Sequence, residues 1–418
     1  MLVLKFGGAS VKDADAVKNV AAIMQLFLHE KTIVVTSAMG KTTNLIEKLT
    51  LAYYNNTSEK NNLLEELKQY HYQICSELFQ EQYHPIFEKL HNIITELEWA
   101  LEDTSFNYNQ YYDQCVCFGE LISTTIVSEY LNQQKINNNW LDVREIIKTD
   151  DNYREGKVNW DLTENLCKKV VSNIFENTST IITQGFIGCT SENYTTTLGR
   201  EGSDYTAAIL AYNLNAESVT IWKDVPGVLD ADPKKFENTN IIHHLSYLDT
   251  IELAFYGATV IHPKTIKPLQ NKNIPLYVKS FINPKEQGTK VSNEGSLEHV
   301  PSYISKSNQA LISIFPKDFS FILEDNLSSI FALFAKHRVK LNVMQNSAIS
   351  FSVCIDNNEN KVQEILPILQ QQFKVLFNDN LELLTIRYYN YQVIDKLTTN
   401  RKIILEQKSR HTCQFVLK

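Results

Sequence analysis

The chain has 418 residues, 43% of them apolar and 21% charged, with a formal net charge of −8. That length accommodates two or three domains with separate cores, and the composition is that of an ordinary globular protein. The acidic balance excludes a general nucleic-acid binder, although lysines and arginines can still converge on a small anion.

The first predicted element is a strand, LVLKF, followed by Gly7 and Gly8. Two readings fit this turn: a plain structural bend, or a backbone cradle for an anion with Lys5 aimed at the same place. The familiar phosphate loop places its lysine after the glycines, so the order here is reversed. A helix follows, with Ser10 as its expected N-cap, Asp13 three residues on, and Val17, Val20, Met24, Phe27 and Leu28 along one face.

TIVVTSAM is the next strand and runs into TSAMGKTTNL, residues 36–45, where Ser37 and Thr43 either bind a polar ligand or cap a helix. Residues 41–118 hold one proline and no glycine, and SEKNNLLEELKQYHYQICSELFQ within them reads as a long helix. FGE at 118–120 sets Glu120 at a glycine turn, either as a helix-start acid or as the partner of a ligand's ammonium. Cys115 and Cys117 form a CxC without a second pair at zinc-ligand spacing.

TIITQGFIG, SVTIWKDV and IPLYVKSF continue the series of unbroken apolar strands, the pattern of a sheet buried on both faces. Between the first two lies TTTLGREGSDYTAA, residues 195–208, with Arg200, Ser203 and Asp204 crowded into a glycine-flanked loop. An arginine fork suits a carboxylate or phosphate, and an aspartate can hold a lysine in place. In IWKDVPGVLDADPKK, residues 221–235, Trp222 and Asp224 suit either a nucleoside's base and sugar or a core tryptophan and a turn-capping acid.

Strands alternating with helices predict an α/β domain with a mainly parallel sheet and helices on both sides, expected over residues 1–295. Ligands in such sheets bind beyond the carboxyl ends of the strands, where the glycine turns lie. The polar, turn-rich stretch at 285–305 is the expected boundary, and no glycine follows Gly295. Beyond it the pattern is strand, helix, two strands, helix, strand, a ferredoxin-like βαββαβ unit over residues 306–380. Residues 381–418 hold the signals of two strands and one short helix, a shortened second unit that must borrow its partner surface.

The seven scattered cysteines read as reduced core thiols of a cytoplasmic protein. MLVLKFGG lacks the segments of a signal peptide, and no window approaches about 18 uninterrupted apolar residues. The polar groups describe a site with several cations, two useful carboxylates and no obvious base. Phosphoryl transfer onto a carboxylate fits that set, because an acceptor with a pKa of roughly 4 needs no deprotonation.

In order and spacing, KFGGAS, TSAMGKTTNL, FGE, TTTLGREGSDYTAA, WKDVPGVLDADP and YGATVIHPKT resemble the aspartate kinases, and the βαββαβ unit is similar to an ACT domain. The resemblance implies an amino-acid-kinase-like catalytic domain that uses ATP and Mg²⁺ to phosphorylate the side-chain carboxylate of L-aspartate, the first step of lysine, threonine and methionine biosynthesis. It implies Lys5 and Asp204 as catalytic residues, and Thr43, Glu120, Arg200 and Ser203 as aspartate-binding ones. Lys5, Gly7, Gly8, Lys223, Asp224, Leu229, Lys234 and Thr259 would meet the nucleotide, and no protein ligand to the metal is assigned. A homodimer, an amino-acid effector at the ACT region, and no nucleic-acid or membrane partner belong to the same expectation.

Departures from the family pattern fall at Lys223, where Thr or Ser is usual, and at Leu229, Lys234 and Thr259, where Tyr, Arg and Lys are common. Glu201 stands where glycine is frequent. Asn342 and Lys340 replace an acid and a small residue of lysine-sensing members, which weakens recognition of a lysine effector. Two rivals remain: a kinase of the same fold acting on acetylglutamate or uridylate, and a non-catalytic amino-acid sensor.

Overall fold

The structure, a computed structural model, describes every residue except 82, 259, 260, 296–299 and 319. The chain divides into two compact units: Met1–Val228 with Ile241–Ile251 and Val260–Ser296, and Leu229–Asn240 with Glu252–Thr259 and Leu297–Lys418.

In chain order the first unit carries strands β1 (Leu2–Phe6), β2 (Thr32–Thr36), β3 (Asn139–Leu141), β4 (Thr180–Gln184), β5 (Ile187–Cys189), β6 (Thr195–Thr197), β7 (Ser218–Lys223), β8 (His244–Ser246), β9 (Leu276–Ser280) and β10 (Thr289–Ser292). Its helices are α1 (Ala14–Met24), α2 (Thr42–Tyr54), α3 (Lys60–Leu78), α4 (Ile86–Glu102), α5 (Tyr108–Val116), α6 (Phe118–Gln133), α7 (Trp160–Ile174) and α8 (Gly202–Leu214), then α9 (Tyr247–Tyr256), which runs on into the second unit, and α10 (Pro263–Asn271). Eight of the strands form one sheet in the order β3-β4-β2-β1-β7-β9-β10-β8, while β5 and β6 make a separate hairpin. Within the large sheet every pair is parallel except β9–β10.

All five residues of β2 and of β4 are buried, the reason these strands read as unbroken apolar runs. One face of the sheet packs Leu4, Phe6 and Val34 against Val17, Val20 and Met24 of α1 and Ile122 and Ile126 of α6, with Ile74 of α3 and Leu90 of α4 in the same cluster. On the other face α8 lies against β1, β2 and β7, flanked by α7 and α10. β1 sits between β2 and β7, so the turn leaving it faces the turns leaving both neighbours.

The second unit carries β11 (Ser302–Pro316), α11 (Glu324–Lys336), β12 (Leu341–Asn346), β13 (Phe351–Asp356), α12 (Glu359–Gln372), β14 (Phe373–Arg387), α13 (Tyr391–Thr398), β15 (Ile403–Lys408) and β16 (Thr412–Leu417). These strands form one antiparallel sheet, β12-β13-β11-β14-β16-β15. The first four in that order, with α11 and α12, are the expected βαββαβ unit. The expected edges at 306 and 380 fall inside strands, because β11 and β14 are each fifteen residues long and serve two halves. Residues 302–306 of β11 and 381–387 of β14 extend past an irregularity near Gln309, and β16 pairs with this second half of β14. That is where the short C-terminal segment finds its partner surface.

Candidate active site

Four chain turns and the start of two helices converge at the carboxyl ends of β1, β2, β4 and β7. Lys5 is the fourth residue of β1, 7% exposed, paired in register with Val35 and Ile221. Its Nζ lies 2.6 Å from Oδ1 of Asp204, in the first turn of α8, and Lys223 Nζ at the end of β7 lies 3.7 Å from Oδ2. Burial pushes the Asp204 carboxyl up, but the Lys5 and Lys223 ammoniums beside it prevail and hold it below the usual carboxylate range. A buried aspartate thus organises two cations at one strand end.

Gly7 lets Lys5 take this path: a Cβ there would stand 3.2 Å from its Nζ. At Gly8 a Cβ would meet the carbonyl oxygens of Ala38 and Gly40 at 2.9 Å, so the turns after β1 and β2 touch backbone to backbone. The helix after this turn starts later than expected. Residues Gly8–Val11 form a single 3₁₀ turn, and the N-cap of α1 is Asp13, whose side chain accepts from Ala16 N at 2.8 Å. Ser10 is buried instead, its Oγ donating to the Trp222 carbonyl at 3.3 Å. A carboxylate next to the first helical turn is the better cap, which moves the boundary by three residues.

A cavity of about 870 Å³ opens onto Lys5, Asp204 and Lys223 and is also lined by Ser37, Thr43, Glu120, Arg200 and Ser203. α2 begins without a side-chain cap, so capping does not account for Ser37 or Thr43. The buried ring of His71 lies with Nε2 3.3 Å from Thr42 Oγ1, and burial pushes its pKa down to about 4, leaving it neutral. Glu120, in the first turn of α6, is 2% exposed. Ala38 N donates to its Oε1 at 3.4 Å, while Oε2 has no partner among the described residues. Burial pushes this carboxyl up to about 8. An unmatched buried carboxylate oxygen facing a cavity suits a ligand's ammonium.

The loop before α8 passes through the left-handed region at Gly199 and Glu201, with φ of +76° and +52°; glycine takes that conformation freely, so the strained residue is Glu201. Gly185 is what lets Ser203 approach, since a Cβ there would lie 2.5 Å from the Ser203 Cβ.

Other expected residues fall elsewhere. Trp222 is 1% exposed and stacks on Phe6 with centroids 6.1 Å apart, so it is a core residue and not a platform for a base. Asp224 is exposed and does not line the cavity. Leu229 and the exposed Lys234 belong to the second unit, and Thr259 lies outside the described residues. All seven cysteines are buried free thiols, and burial pushes Cys117 up to about 12. The described residues include no cluster of three or more His, Cys, Asp or Glu able to hold a metal. Within the second unit, Asn342 Nδ2 donates to Gln309 Oε1 at 2.8 Å and to Asp356 Oδ1 at 2.9 Å, and its own Oδ1 accepts from Lys306 at 3.2 Å.

Sequence reasoning missed Glu47, Tyr112 and Arg154, which also line the cavity. Glu47 is one helical turn after Thr43 on α2, a spacing that sets both on one face. Arg154 carries no motif signal, for it sits in the turn-rich TDDNYREG stretch.

A strand-borne lysine tied to a buried aspartate, beside glycine turns at the ends of parallel strands, defines an α/β protein built to handle an anionic group. Residues 1–280 match the amino acid kinase family. The lysine-sensitive aspartokinase 3 of Escherichia coli is 31% identical over 369 residues, covering 85% of this chain and 78% of the relative. Among solved structures, E. coli aspartokinase III in complex with lysine and aspartate superposes with a TM-score of 0.82 at 27% identity, over 100% of this chain and 95% of that one. The same enzyme in complex with aspartate and ADP gives 0.81 at 26%, over 100% and 96%. The chain belongs to the amino acid kinase family and, within it, to the aspartokinases. No helix among the described residues is long and apolar enough to cross a membrane.

Proposed function

We infer that this protein transfers the γ-phosphoryl group of ATP to the side-chain carboxylate of L-aspartate, giving 4-phospho-L-aspartate and ADP. One observation carries the reading: the buried Lys5–Asp204–Lys223 cluster and the unpartnered oxygen of Glu120 open onto one cavity. The acceptor carboxylate oxygen forms the new bond to phosphorus, the bond from phosphorus to the β-phosphate oxygen breaks, and no proton moves. Catalysis then rests on positioning and charge. Lys5 and Lys223 face the charge on the transferring group, and Asp204 keeps both ammoniums in place. Glu120 receives the α-ammonium of aspartate, Arg200 its α-carboxylate, and Thr43 and Ser203 donate hydrogen bonds.

Gly7 and Gly8 offer the approach for the nucleotide's phosphates, while Asp224, Leu229, Lys234 and Thr259 carry their nucleotide assignment on family position alone. With Asp204 engaged by two lysines, the residues present fit an Mg²⁺ held by the phosphate oxygens of ATP. When bound, the ion neutralises phosphate charge.

A homodimer formed through the second unit and an amino-acid effector belong to the same reading. Supporting the former, Phe321, Leu323, Met344 and Leu376 of that unit are about half exposed or more. Supporting the latter, the similar E. coli aspartokinase III has been solved as a complex with lysine.

The test is ADP release with aspartate, glutamate or acetylglutamate as acceptor, hydroxylamine trapping the acyl phosphate, repeated with lysine, threonine and methionine. A hydroxamate formed from aspartate alone supports the reading. A chain that binds an amino acid but no ATP analogue is a sensor, and the reading falls. Sedimentation at twice the chain mass supports the dimer.

A further inference from the structure

We propose that Arg154 is a second carboxylate-docking residue of the aspartate pocket, latched by Glu47 until the substrate arrives. The inference rests on the aspartate reading above and deepens it by naming a specificity-determining cation.

The backbone of Arg154 is held in the left-handed region, with φ of +69°. A side chain there is strained by about 1 kcal/mol or more, and such strain persists where surrounding structure fixes it. Asp113, fully buried on α5, supplies that fixation. Its Oδ2 accepts from Arg154 N at 2.8 Å and from Thr197 N at 2.9 Å, and its Oδ1 accepts from Thr197 Oγ1 at 2.9 Å. The loop is thereby stitched to β6, immediately before Gly199 and Arg200. A Cβ at Gly199 would lie 3.3 Å from the Arg154 carbonyl oxygen, so a larger residue there would crowd the junction that puts Arg154 and Arg200 on one cavity.

The guanidinium has a definite pose: it stacks 4.1 Å above the centre of the Tyr112 ring. Its Nη2 lies 3.3 Å from Glu47 Oε1, with the two side chains 41% and 47% exposed. One exposed contact of that length is weak. The planar fork of arginine has several further donors available, and a stacked guanidinium loses little freedom on pairing with a carboxylate. Glu47 is then a stand-in carboxylate that a dicarboxylate substrate displaces.

The decisive variant is Arg154→Gly, which keeps the backbone conformation and removes only the side chain. Kinetics with aspartate and ATP varied separately, isothermal titration with aspartate, and thermal melting are measured on the full chain. The expected result is an aspartate KM raised about 10- to 100-fold, with kcat and the ATP KM within about threefold and the melting temperature unchanged or higher. Arg154→Lys restores part of the affinity, because an ammonium keeps the charge and loses the fork. Glu47→Gln, which weakens the latch, lowers the aspartate KM. An Arg154→Gly enzyme with aspartate KM within twofold of the parent overturns the proposal while the aspartate reading stands. Equal losses toward aspartate and ATP, or a fall in melting temperature that accounts for lost activity, also overturn it. A parent enzyme with no aspartate-dependent turnover overturns both.

Discussion

Glu120 makes aspartate affinity depend on pH in a way that can be worked from its surroundings. Its carboxyl is fully buried and pushed up to about 8, with one weak backbone donor at 3.4 Å and one oxygen left over. Ammonium recognition requires the ionised form, which at pH 7 is about one-tenth of the empty enzyme and at pH 6 about one-hundredth. The aspartate KM therefore falls about tenfold per pH unit from 6 toward 8 and levels above that. At pH 7 binding releases close to one proton, which titration calorimetry in buffers of different ionisation enthalpy reads directly. The folded-state pKa is raised above the unfolded value, so Glu120 favours the folded state below the ordinary glutamate range, and that contribution is lost as pH rises to about 8. The swing is on the order of 5 kcal/mol. Glu120→Gln abolishes the proton release, weakens aspartate binding at every pH, and gives a protein more stable than the parent at pH 8. A flat aspartate KM between pH 6 and 8, with no proton released, would refute the reasoning.

Lys5→Ala lowers kcat by about 10³ or more, since the transferring group loses its nearest cation, and weakens the fold by about 3 kcal/mol because Asp204 keeps only Lys223; a folded variant with near-parental kcat removes the role assigned to Lys5. Gly185→Ala pushes a Cβ into Ser203, 2.5 Å from its Cβ and 2.7 Å from its Cα, and displaces the start of α8. The expected outcome is a stability loss of about 1–3 kcal/mol with kcat/KM down more than tenfold, and unchanged kinetics would show that Ser203 and Asp204 tolerate the shift. Asn342→Asp sets a second carboxylate 2.9 Å from Asp356 Oδ1. Asp356 is pushed up by burial, yet Gln309, Asn342 and Lys306 hold it low, so it stabilises the fold above the usual carboxylate range. The variant loses about 1–2 kcal/mol at pH 7 and regains it on acidification as one carboxyl protonates, and a loss independent of pH in thermal melts would exclude charge repulsion.

What could be read from the sequence divides along physical lines. Strands buried on both faces announce themselves as TIVVT and TIITQ because every position meets the core. Lys5, Arg200 and Asp204 are legible because each stands beside a glycine turn near a strand end, where ligands bind in such sheets; the expected glycine turn at FGE is instead the start of α6, with Gly119 inside the helix and Glu120 in its first turn. Cap choice was not accessible: Ser10 and Asp13 both qualify by type, and only the path of the backbone, turned once through Gly8–Val11, selects Asp13. Nor could type alone place Trp222, whose flat contact with Phe6 depends on β1 and β7 being sheet neighbours. The expected edges at 306 and 380 miss the strand ends because β11 starts at Ser302, inside the polar stretch 285–305, and β14 runs on past 380 from Phe373 to Arg387.

Arg154 is the instructive omission. Its site assignment depends on Asp113 reaching across 41 residues to its backbone N–H and on Thr197 sharing the same carboxylate. None of those three positions is unusual in sequence, and the constraint exists only once α5, the loop and β6 meet. A left-handed arginine is a signal of the folded chain alone. The residues that recognise a reacting group are held to a narrow menu of chemical types and so can be read ahead of the fold. Those that tune substrate fit draw on ordinary side chains in particular poses, and it is the pose that has to be seen.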